Sequence, residues 1–265
     1  MAAVQPVLPG GELPFRLSHG YLIVVEGQIG TQSNLKFILD TGATMSIVDT
    51  KIADKLRLPH HPMESFNFDR KLAWEQATIP EVQFGPVKAS NTLVLVGHLA
   101  DYSEFAQNVD AIIGLDLLKL SNFGIDYVAK KIIFDSPKPG ARAPHDAALS
   151  NGLVFEAQIQ GHPVRLIVDT GFPGILLFEE RVRATVPELR LIGKVSDVTM
   201  GGRLHARKAT LSGVVIGPSH MDVSVFLTKG PAAELLPGVT GVLGIAALNA
   251  RRVNFDFNTG TLSWE

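Results

Sequence analysis

The tripeptide Asp-Thr-Gly occurs twice in this chain of 265 residues, and each copy follows an apolar run. The first copy lies in FILDTGATMSIV at 37–48 and the second in LIVDTGFPGILL at 167–178. At average composition, a given tripeptide occurs by chance in about one chain in twenty of this length. Two copies in the same apolar setting therefore call for a physical reason.

The sequence around the two copies is repeated as well. LSHGYLIVVEGQIG at 17–30 resembles LSNGLVFEAQIQG at 149–161. The segment at 111–135 aligns with the segment at 241–265 without a gap. A repeat of this length predicts a duplicated unit of about 120–130 residues, which is the size of a small domain.

The repeat divides the chain into four predicted parts. They are an N-terminal segment at 1–16, a first lobe at 17–135, a linker at 136–148 and a second lobe at 149–265. The linker is predicted because SPKPGARAPHDAA is rich in Pro and small or charged residues, which interrupt the strand pattern.

Most of the secondary-structure signal is for short strands. Strands are predicted at 21–30, 35–40, 91–97, 130–135, 164–169, 222–227 and 261–265. A hairpin turn is predicted at Asn258-Thr259-Gly260, and helices at 50–58, at 178–186 and for one turn after Gly114 and after Gly244. The sequence therefore predicts an all-β, two-lobed fold with a pseudo-twofold axis between the lobes.

Composition excludes several functional classes. The net charge is −2 and the Lys and Arg residues are scattered, which argues against a nucleic-acid partner. The chain has no Cys, so it has no disulfides, no thiol chemistry and no Cys-based zinc site. No apolar run approaches the roughly 18 residues of a membrane helix, so no membrane span is predicted. The start of the chain does not have the pattern of a signal peptide, and the compartment stays open.

Two carboxyl groups at the ends of apolar strands have a chemistry that one alone lacks. Asp40 and Asp169 would both be desolvated, which raises the pKa of a carboxyl group. Like charges about 3 Å apart cannot both persist, so the pair shares one proton. The ionised member then takes a proton from water, while the protonated member donates one to a scissile carbonyl oxygen.

The residues after each aspartate suit this arrangement. Gly42 and Gly171 permit a tight turn and a close approach of backbone to the carboxyl groups. The hydroxyl groups of Thr41 and Thr170 can form hydrogen bonds across the axis and satisfy buried polar groups. One copy of the motif would be useless without the other, which explains why it occurs twice.

These residues resemble the pepsin- and retropepsin-like aspartic proteases over essentially the whole chain. The family pattern is an apolar pair, Asp-Thr-Gly and a small residue, followed later by two apolar residues and Gly. Here ILDTGA is followed by IIG at 112–114, and IVDTGF by VLG at 242–244. Each half is close in length to a retropepsin subunit, so the chain is similar to a retropepsin dimer fused head to tail.

The resemblance implies a role for each motif residue. It makes Asp40 and Asp169 the catalytic pair. It implies that the loops around them are supported by Thr41, Gly42, Ala43, Thr170, Gly171 and Phe172. It implies that a strand behind each loop is formed by Ile112, Ile113 and Gly114 and by Val242, Leu243 and Gly244.

The resemblance also implies an activity. The expected function is an endopeptidase that hydrolyses a peptide or protein substrate at acidic to mildly acidic pH. No cofactor and no metal are expected, and the active unit is expected to be a monomer because both halves are in one chain.

The family places a β-hairpin flap over the cleft, and both halves have room for one. The corresponding segments are 66–79 and 195–210. The residues assigned to the flaps and the substrate cleft are Arg70, Lys71, Trp74, Met200, Gly201 and Gly202. Trp74 is expected either to contact the bound peptide or to anchor its hairpin by packing.

One position departs from the family pattern, because Phe172 stands where a small residue is usual and Pro173 restricts its backbone. The bulk of Phe172 must lie either in the core of the lobe or over the cleft. An alternative function is therefore a catalytically impaired, peptide-binding module with the same fold. A purely structural or adaptor role is a third hypothesis.

Metal sites and other catalytic motifs are not supported. His60 and His61 lie in a Pro-flanked segment without an HExxH pattern, which favours a surface loop. The C-terminal NFDFNTGTLSWE is explained better by a hairpin than by a calcium loop. No GxSxG sequence is present, so a serine hydrolase is not indicated.

Overall fold

The computed structural model describes residues 3–4, 11–66, 71–102, 108–135, 141–146, 153–200, 204–217, 219–229 and 236–265. The strands are β1 (Ala3–Val4), β2 (Glu12–Pro14), β3 (Arg16–Ser18), β4 (Leu22–Ile29), β5 (Gln32–Leu39), β6 (Ile47–Asp49), β7 (His60–Phe66), β8 (Lys71–Phe84), β9 (Val87–Gly97), β10 (Ala111–Ile113), β11 (Phe123–Asp126), β12 (Lys131–Phe134), β13 (Ala141–Asp146), β14 (Val154–Ile159), β15 (His162–Asp169), β16 (Ile175–Phe178), β17 (Leu191–Met200), β18 (Leu204–Ile216), β19 (Ser219–Thr228), β20 (Gly241–Gly244), β21 (Arg252–Asp256) and β22 (Thr261–Trp264).

Helices are few and short. They are α1 (Thr50–Lys55), α2 (Leu99–Tyr102), α3 (Leu115–Leu118), α4 (Glu179–Thr185) and a 3₁₀ turn at Ile245–Leu248. The fold is mostly β, and the fold class predicted from the sequence is confirmed. Every strand and helix predicted individually is present, whereas α2 was not predicted. None of the helices described has the length and apolar character needed to cross a membrane.

Burial along the strands follows their positions in the sheets. β10 and β20 are buried at every residue and each has a strand hydrogen-bonded on both sides. The first part of β9 instead alternates between buried and more exposed residues. Alternation of this kind is expected when one face of a strand packs on the core and the other faces outward.

The two halves use the same strand pairing around these central strands. β10 runs parallel to β5 and antiparallel to β6, with Ile112 opposite Ile38 and Ile47. β20 runs parallel to β15 and antiparallel to β16, with Val242 opposite Ile167. β5 and β15 are the strands that lead into the two Asp-Thr-Gly copies, so each copy begins at the end of a buried strand.

A sheet shared by both halves joins them. Its strand order is β13-β22-β21-β11-β12-β2, and the halves meet where β11 pairs antiparallel with β21. Phe123 and Phe255 stack across this junction with ring centroids 4.8 Å apart. The guanidinium group of Arg252 also forms an ion pair with the carboxylate of Asp126 from the other half. The halves are therefore joined by a continuous sheet at this junction.

Part of the segment predicted as a linker is a strand of this shared sheet. Residues 141–146 form β13, which pairs with β22 and places Pro144 opposite Thr261. β13 also pairs with β14 through His145 and Asp146, so the chain changes partner directly after Pro144. At the edge of the sheet, β2 pairs with β12 and places Pro14 opposite Lys131. Proline is tolerated on edge strands because they leave one row of N–H groups unpaired. The Pro-rich composition therefore did not prevent a strand at 141–146; the rest of 136–148 lies outside the described residues.

Two small apolar clusters lie next to the Asp-Thr-Gly loops, separate from a large core that draws on both halves. The first-half cluster consists of Leu22, Val24, Ile38, Ile47, Trp74, Leu95, Leu99, Val109 and Ile112, with Tyr21, Ala43, Met45 and Met63 packed against it. The second-half cluster consists of Val154, Ile167, Phe172, Leu176, Phe178, Val239 and Val242, with Phe226 and Leu236 packed against it.

Candidate active site

The two Asp-Thr-Gly loops are backed by the central strands β10 and β20. The N–H group of Asp40 donates to the carbonyl oxygen of Ile113 at 2.9 Å. In the other half, Asp169 lies opposite Gly244 at the end of β15. The strands expected behind the loops, at 112–114 and 242–244, thus lie directly beside the residues that lead into them.

Four hydrogen bonds connect the two loops through their threonines. The N–H group of Thr41 donates to Oγ1 of Thr170 at 3.0 Å, and the N–H group of Thr170 donates to Oγ1 of Thr41 at 3.1 Å. The hydroxyl of Thr41 donates to the carbonyl of Val168 at 2.9 Å, and that of Thr170 donates to the carbonyl of Leu39 at 2.7 Å. Because both side chains are buried, this network fixes the separation of the loops.

Each loop glycine faces the carboxyl group of the opposite half. A Cβ atom on Gly42 would lie 2.5 Å from Cγ of Asp169, and one on Gly171 would lie 2.7 Å from Oδ2 of Asp40. Any side chain at either position would therefore push a carboxyl group away. The absence of a side chain at Gly42 and Gly171 is what lets the two carboxyl groups approach each other.

Backbone N–H groups orient the two carboxyl groups. Oδ1 of Asp40 accepts from the N–H groups of Gly42 at 2.9 Å and Ala43 at 3.3 Å. Oδ1 of Asp169 accepts from the N–H group of Gly171 at 2.6 Å. The two carboxyl groups are also hydrogen-bonded to each other. The side chains of Asp40 and Asp169 thus form a pair fixed by the backbone around them.

The pKa of Asp169 is raised further than the pKa of Asp40. Burial raises the pKa of both carboxyl groups above their ordinary values. At Asp169 the negative charge of Asp40 raises the pKa further, well above the usual range. At Asp40 the rise is opposed by a hydrogen bond from Asp169 and by the N–H groups of Gly42 and Ala43. The pair therefore shares one proton, and the neighbouring charge favours Asp169 as the group that holds it.

Tyr21 is a residue near the pair that the sequence did not single out. It begins the segment that leads into β4 and packs against the first-half cluster, as Ala43 of the loop does. Burial, followed by the charges of Asp169 and Asp40, raises the pKa of Tyr21 to about 12. The phenol is thus neutral near the carboxyl pair. The sequence does distinguish this position. When the segment at 17–30 is aligned with the segment at 149–161, which is one residue shorter, Tyr21 is the extra residue.

Phe172 points into its own half of the protein. Its side chain is only 8 % exposed and belongs to the second-half cluster. It meets Phe226 edge to face, with ring centroids 6.0 Å apart and an interplanar angle of 87°. Of the two positions expected for its bulk, the core of the lobe is therefore the one that it occupies. The ring of Phe172, whose bulk motivated the hypothesis of an impaired site, therefore packs in the lobe and not over the carboxyl pair.

Each half has a β-hairpin at the position expected for a flap. β7 and β8 end with Phe66 opposite Lys71, and β17 and β18 end with Met200 opposite Leu204. The predicted tip residues Arg70, Gly201 and Gly202 lie outside the described residues, as do the side chains of Lys71 and Met200.

Trp74 packs within the first-half apolar cluster, where it is 8 % exposed. Its ring lies so close to Gly97 that a Cβ atom there would collide with it. Of the two roles expected for Trp74, these contacts favour an anchor of its hairpin, because Gly97 on the neighbouring strand leaves room for the indole. The assignment of Trp74 to the substrate cleft stays a prediction.

Comparison with known families agrees with this geometry. A family described as "gag-polyprotein putative aspartyl protease" matches residues 25–120, which include Asp40 and the strand β10 behind it. This match supports the retropepsin-like family for the chain. Comparison with curated proteins returned no match. The retropepsin-like match covers the first half, so the correspondence of the second half depends on its strand pairing and its loop contacts.

A methyl group at a loop glycine should disrupt this retropepsin-like site without unfolding the protein. In Gly171→Ala, the new Cβ would lie 2.7 Å from Oδ2 of Asp40, so the carboxyl group must move. A shift of 1 Å at a reacting group costs about 10²-fold in rate. We expect kcat for a peptide substrate to fall by about that factor.

Gly161→Ala is the control for this substitution. Gly161 lies in the turn between β14 and β15 with a φ of 84°, and a Cβ there would meet nothing within 4 Å. Alanine should lower the free energy of unfolding by about 1 kcal/mol through backbone strain and leave kcat unchanged. Equal kcat values in the two variants would contradict the assigned contact between Gly171 and Asp40.

Proposed function

We propose that this protein is an aspartic endopeptidase that hydrolyses peptide bonds with a water activated between Asp40 and Asp169. The observation that carries the proposal is the pairing of the buried Asp169 with the half-buried Asp40 from the other half, held by the reciprocal hydrogen bonds of Thr41 and Thr170. The match of residues 25–120 to a family of putative aspartyl proteases supports the same chemistry.

In the proposed reaction, each carboxyl group has a different first task. Ionised Asp40 takes a proton from water, whose oxygen attacks the carbonyl carbon of the scissile bond. Protonated Asp169 donates its proton to the carbonyl oxygen, which gives a neutral tetrahedral diol. Collapse of the diol breaks the C–N bond as the proton held by Asp40 passes to the leaving nitrogen and Asp169 recovers its own. No covalent enzyme intermediate, metal or cofactor is required.

The proposed substrate is an extended peptide bound between the two halves. Extended peptides are recognised by strand-like hydrogen bonds, while pockets for alternate side chains give the sequence preference. We assign the tips of the hairpins β7–β8 and β17–β18 to covering this peptide, with Arg70, Lys71, Met200, Gly201 and Gly202 nearest to it. Because both carboxyl groups come from one chain, the proposed active unit is a monomer.

A cleavage assay with denatured protein substrates between pH 3 and pH 7 tests the proposal. We expect the purified protein to cleave these substrates and Asp40→Asn to abolish the cleavage. Asp54→Asn is the control and should retain it, because Asp54 is exposed on α1. Absence of cleavage that depends on Asp40 would overturn the proposal. Saturable peptide binding without cleavage would then identify the peptide-binding alternative. Sedimentation that finds activity only in a dimer would contradict the monomeric unit.

A further inference from the structure

The two catalytic loops differ in the residue that follows Asp-Thr-Gly. Ala43 and Phe172 each lie three residues after their aspartate, Asp40 and Asp169. Both residues contact the apolar cluster of their own half. A difference as large as Ala against Phe at corresponding positions of two similar sites requires a compensating difference elsewhere, because protein interiors are close-packed.

Strand pairing identifies corresponding positions in the two clusters. On β6, Ile47 lies opposite Leu95 of β9 in a parallel pair. On β16, Leu176 lies opposite Phe226 of β19 in the equivalent parallel pair. β6 and β16 occupy the same place next to the central strands β10 and β20, so Leu95 and Phe226 correspond.

The hairpin strands can be matched from these two positions. Gln76 of β8 pairs with Leu95. Lys208 of β18 pairs with Phe226. Two residues earlier, and so on the same face of the sheet, β8 carries Trp74 and β18 carries Ala206. The hairpin of the first half thus supplies a large aromatic side chain where the hairpin of the second half supplies a methyl group.

The neighbours of these residues differ in the same compensating way. The ring of Trp74 covers Gly97, which has no side chain to obstruct it. The corresponding residue of the second half is the buried Thr228, whose side chain occupies part of that space. There the aromatic volume comes from the loop instead, because Phe172 packs edge to face on Phe226.

We infer that Phe172 is a positioning residue for Asp169, which anchors its catalytic loop from within as Trp74 anchors the other loop from the β7–β8 hairpin. The inference rests on the proposed function and deepens it. The first half combines Ala43, Trp74 and Gly97, whereas the second half combines Phe172, Ala206 and Thr228.

The anchor acts on Asp169 through the backbone of Phe172 itself. The N–H group of Phe172 donates a hydrogen bond to the carboxyl group of Asp169. Its carbonyl oxygen is packed against Gly244 so closely that a Cβ atom there would collide with it. Loss of the buried ring therefore frees a residue that contacts both the carboxyl group and the strand behind it.

Matched Phe→Leu substitutions separate positioning from general packing. Phe172 and Phe178 belong to the same cluster and are both buried, but Phe178 lies on β16 and not on the loop. We expect Phe172→Leu to lower kcat by about 10- to 100-fold with little change in KM, since small misplacements of a reacting group act on the chemical step. Phe178→Leu should lower thermal stability while leaving kcat unchanged.

Rescue by the arrangement of the first half is the second test. Phe172→Ala should lower kcat at least as far as Phe172→Leu. The triple variant Phe172→Ala, Ala206→Trp, Thr228→Gly recreates the first-half set and should recover most of the lost kcat. A triple variant no more active than Phe172→Ala, or equal kcat losses in the two Leu variants, would overturn the inference.

A measurement that does not need turnover keeps this inference separate from the proposed function. The carboxyl carbons of Asp40 and Asp169 can be titrated by NMR in protein labelled with ¹³C. Phe172→Leu should change the titration of the coupled pair, and Phe178→Leu should not. If the wild-type protein cleaves nothing, the proposed function fails while this result still supports or refutes the role of Phe172.

Discussion

We expect Asp169→Asn to lower kcat for the proposed peptide hydrolysis by about 10³-fold and to leave KM nearly unchanged. The amide of Asn keeps the size of the side chain and can donate a hydrogen bond, but it cannot transfer a proton to the carbonyl oxygen of the substrate. General acid catalysis of this kind contributes about 10²- to 10⁴-fold. KM is spared because the peptide is bound over an extended length while the substitution removes a step of the chemistry.

The pH profile of the wild-type protein tests which carboxyl group acts as the general acid and which as the general base. The proposed mechanism requires Asp169 protonated and Asp40 ionised, so activity should fall above the upper apparent pKa of the pair and below the lower one. Burial and the charge of Asp40 raise the pKa of Asp169 well above its usual range. The alkaline limb of kcat should therefore lie above the ordinary pKa of an aspartate, which retains activity at mildly acidic pH.

Profiles of kcat/KM and kcat between pH 3 and pH 7 measure both limbs. Asp54→Asn, on the exposed side of α1, should reproduce the wild-type profile. Residual activity in Asp169→Asn should have lost the alkaline limb. An alkaline limb that is unchanged in Asp169→Asn would mean that another group holds the reactive proton.

Thr41→Val should destabilise the protein far more than an ordinary surface change. Valine keeps the shape of the side chain but removes the hydroxyl, which leaves the N–H group of Thr170 and the carbonyl of Val168 without their partner. A buried group that loses its hydrogen bond costs about 1–3 kcal/mol, so the free energy of unfolding should fall by about 3 kcal/mol or more. Urea denaturation measures this loss, and Thr41→Ser should restore most of it.

Thr92→Val is a matched control for this substitution. Thr92 is also buried, but its hydroxyl oxygen has no hydrogen-bond partner among the residues that the structure describes. Removal of that hydroxyl should be neutral or stabilising, because no buried partner loses a bond. kcat should fall in Thr41→Val, since the loops that hold Asp40 and Asp169 are no longer fixed, and stay constant in Thr92→Val. Similar stability and kcat in both variants would contradict the role of the threonine network.

Local sequence carries enough information to find the carboxyl pair. Asp40 and Asp169 were identified because a short motif repeats after apolar strands, and the strands at 112–114 and 242–244 because two apolar residues and Gly recur at matching places. Alternation and turn residues, which depend only on neighbours along the chain, likewise predicted the hairpin at 258–260.

The positions of Phe172 and Trp74 could not be predicted from local patterns, because they depend on the pairing of strands that are distant in the chain. Whether Phe172 lay in the core or over the cleft depended on Phe226, which lies 54 positions further along the chain and reaches it through the pairing of β16 with β19. The burial of Trp74 depended in the same way on Gly97.

The predicted linker and Tyr21 are two further cases in which tertiary contacts decided what the local sequence did not. Pro144 weakens a strand signal locally, yet the strand β13 that contains it pairs with β22 and then with β14. Tyr21 has no motif around it, and only the packing of the first-half cluster brings its phenol near the carboxyl pair. The sequence by itself determined which residues repeat and hence which chemistry is available. The tertiary structure decided which side chains fill the space around that chemistry, because close packing is a property of contacts between residues far apart in the chain.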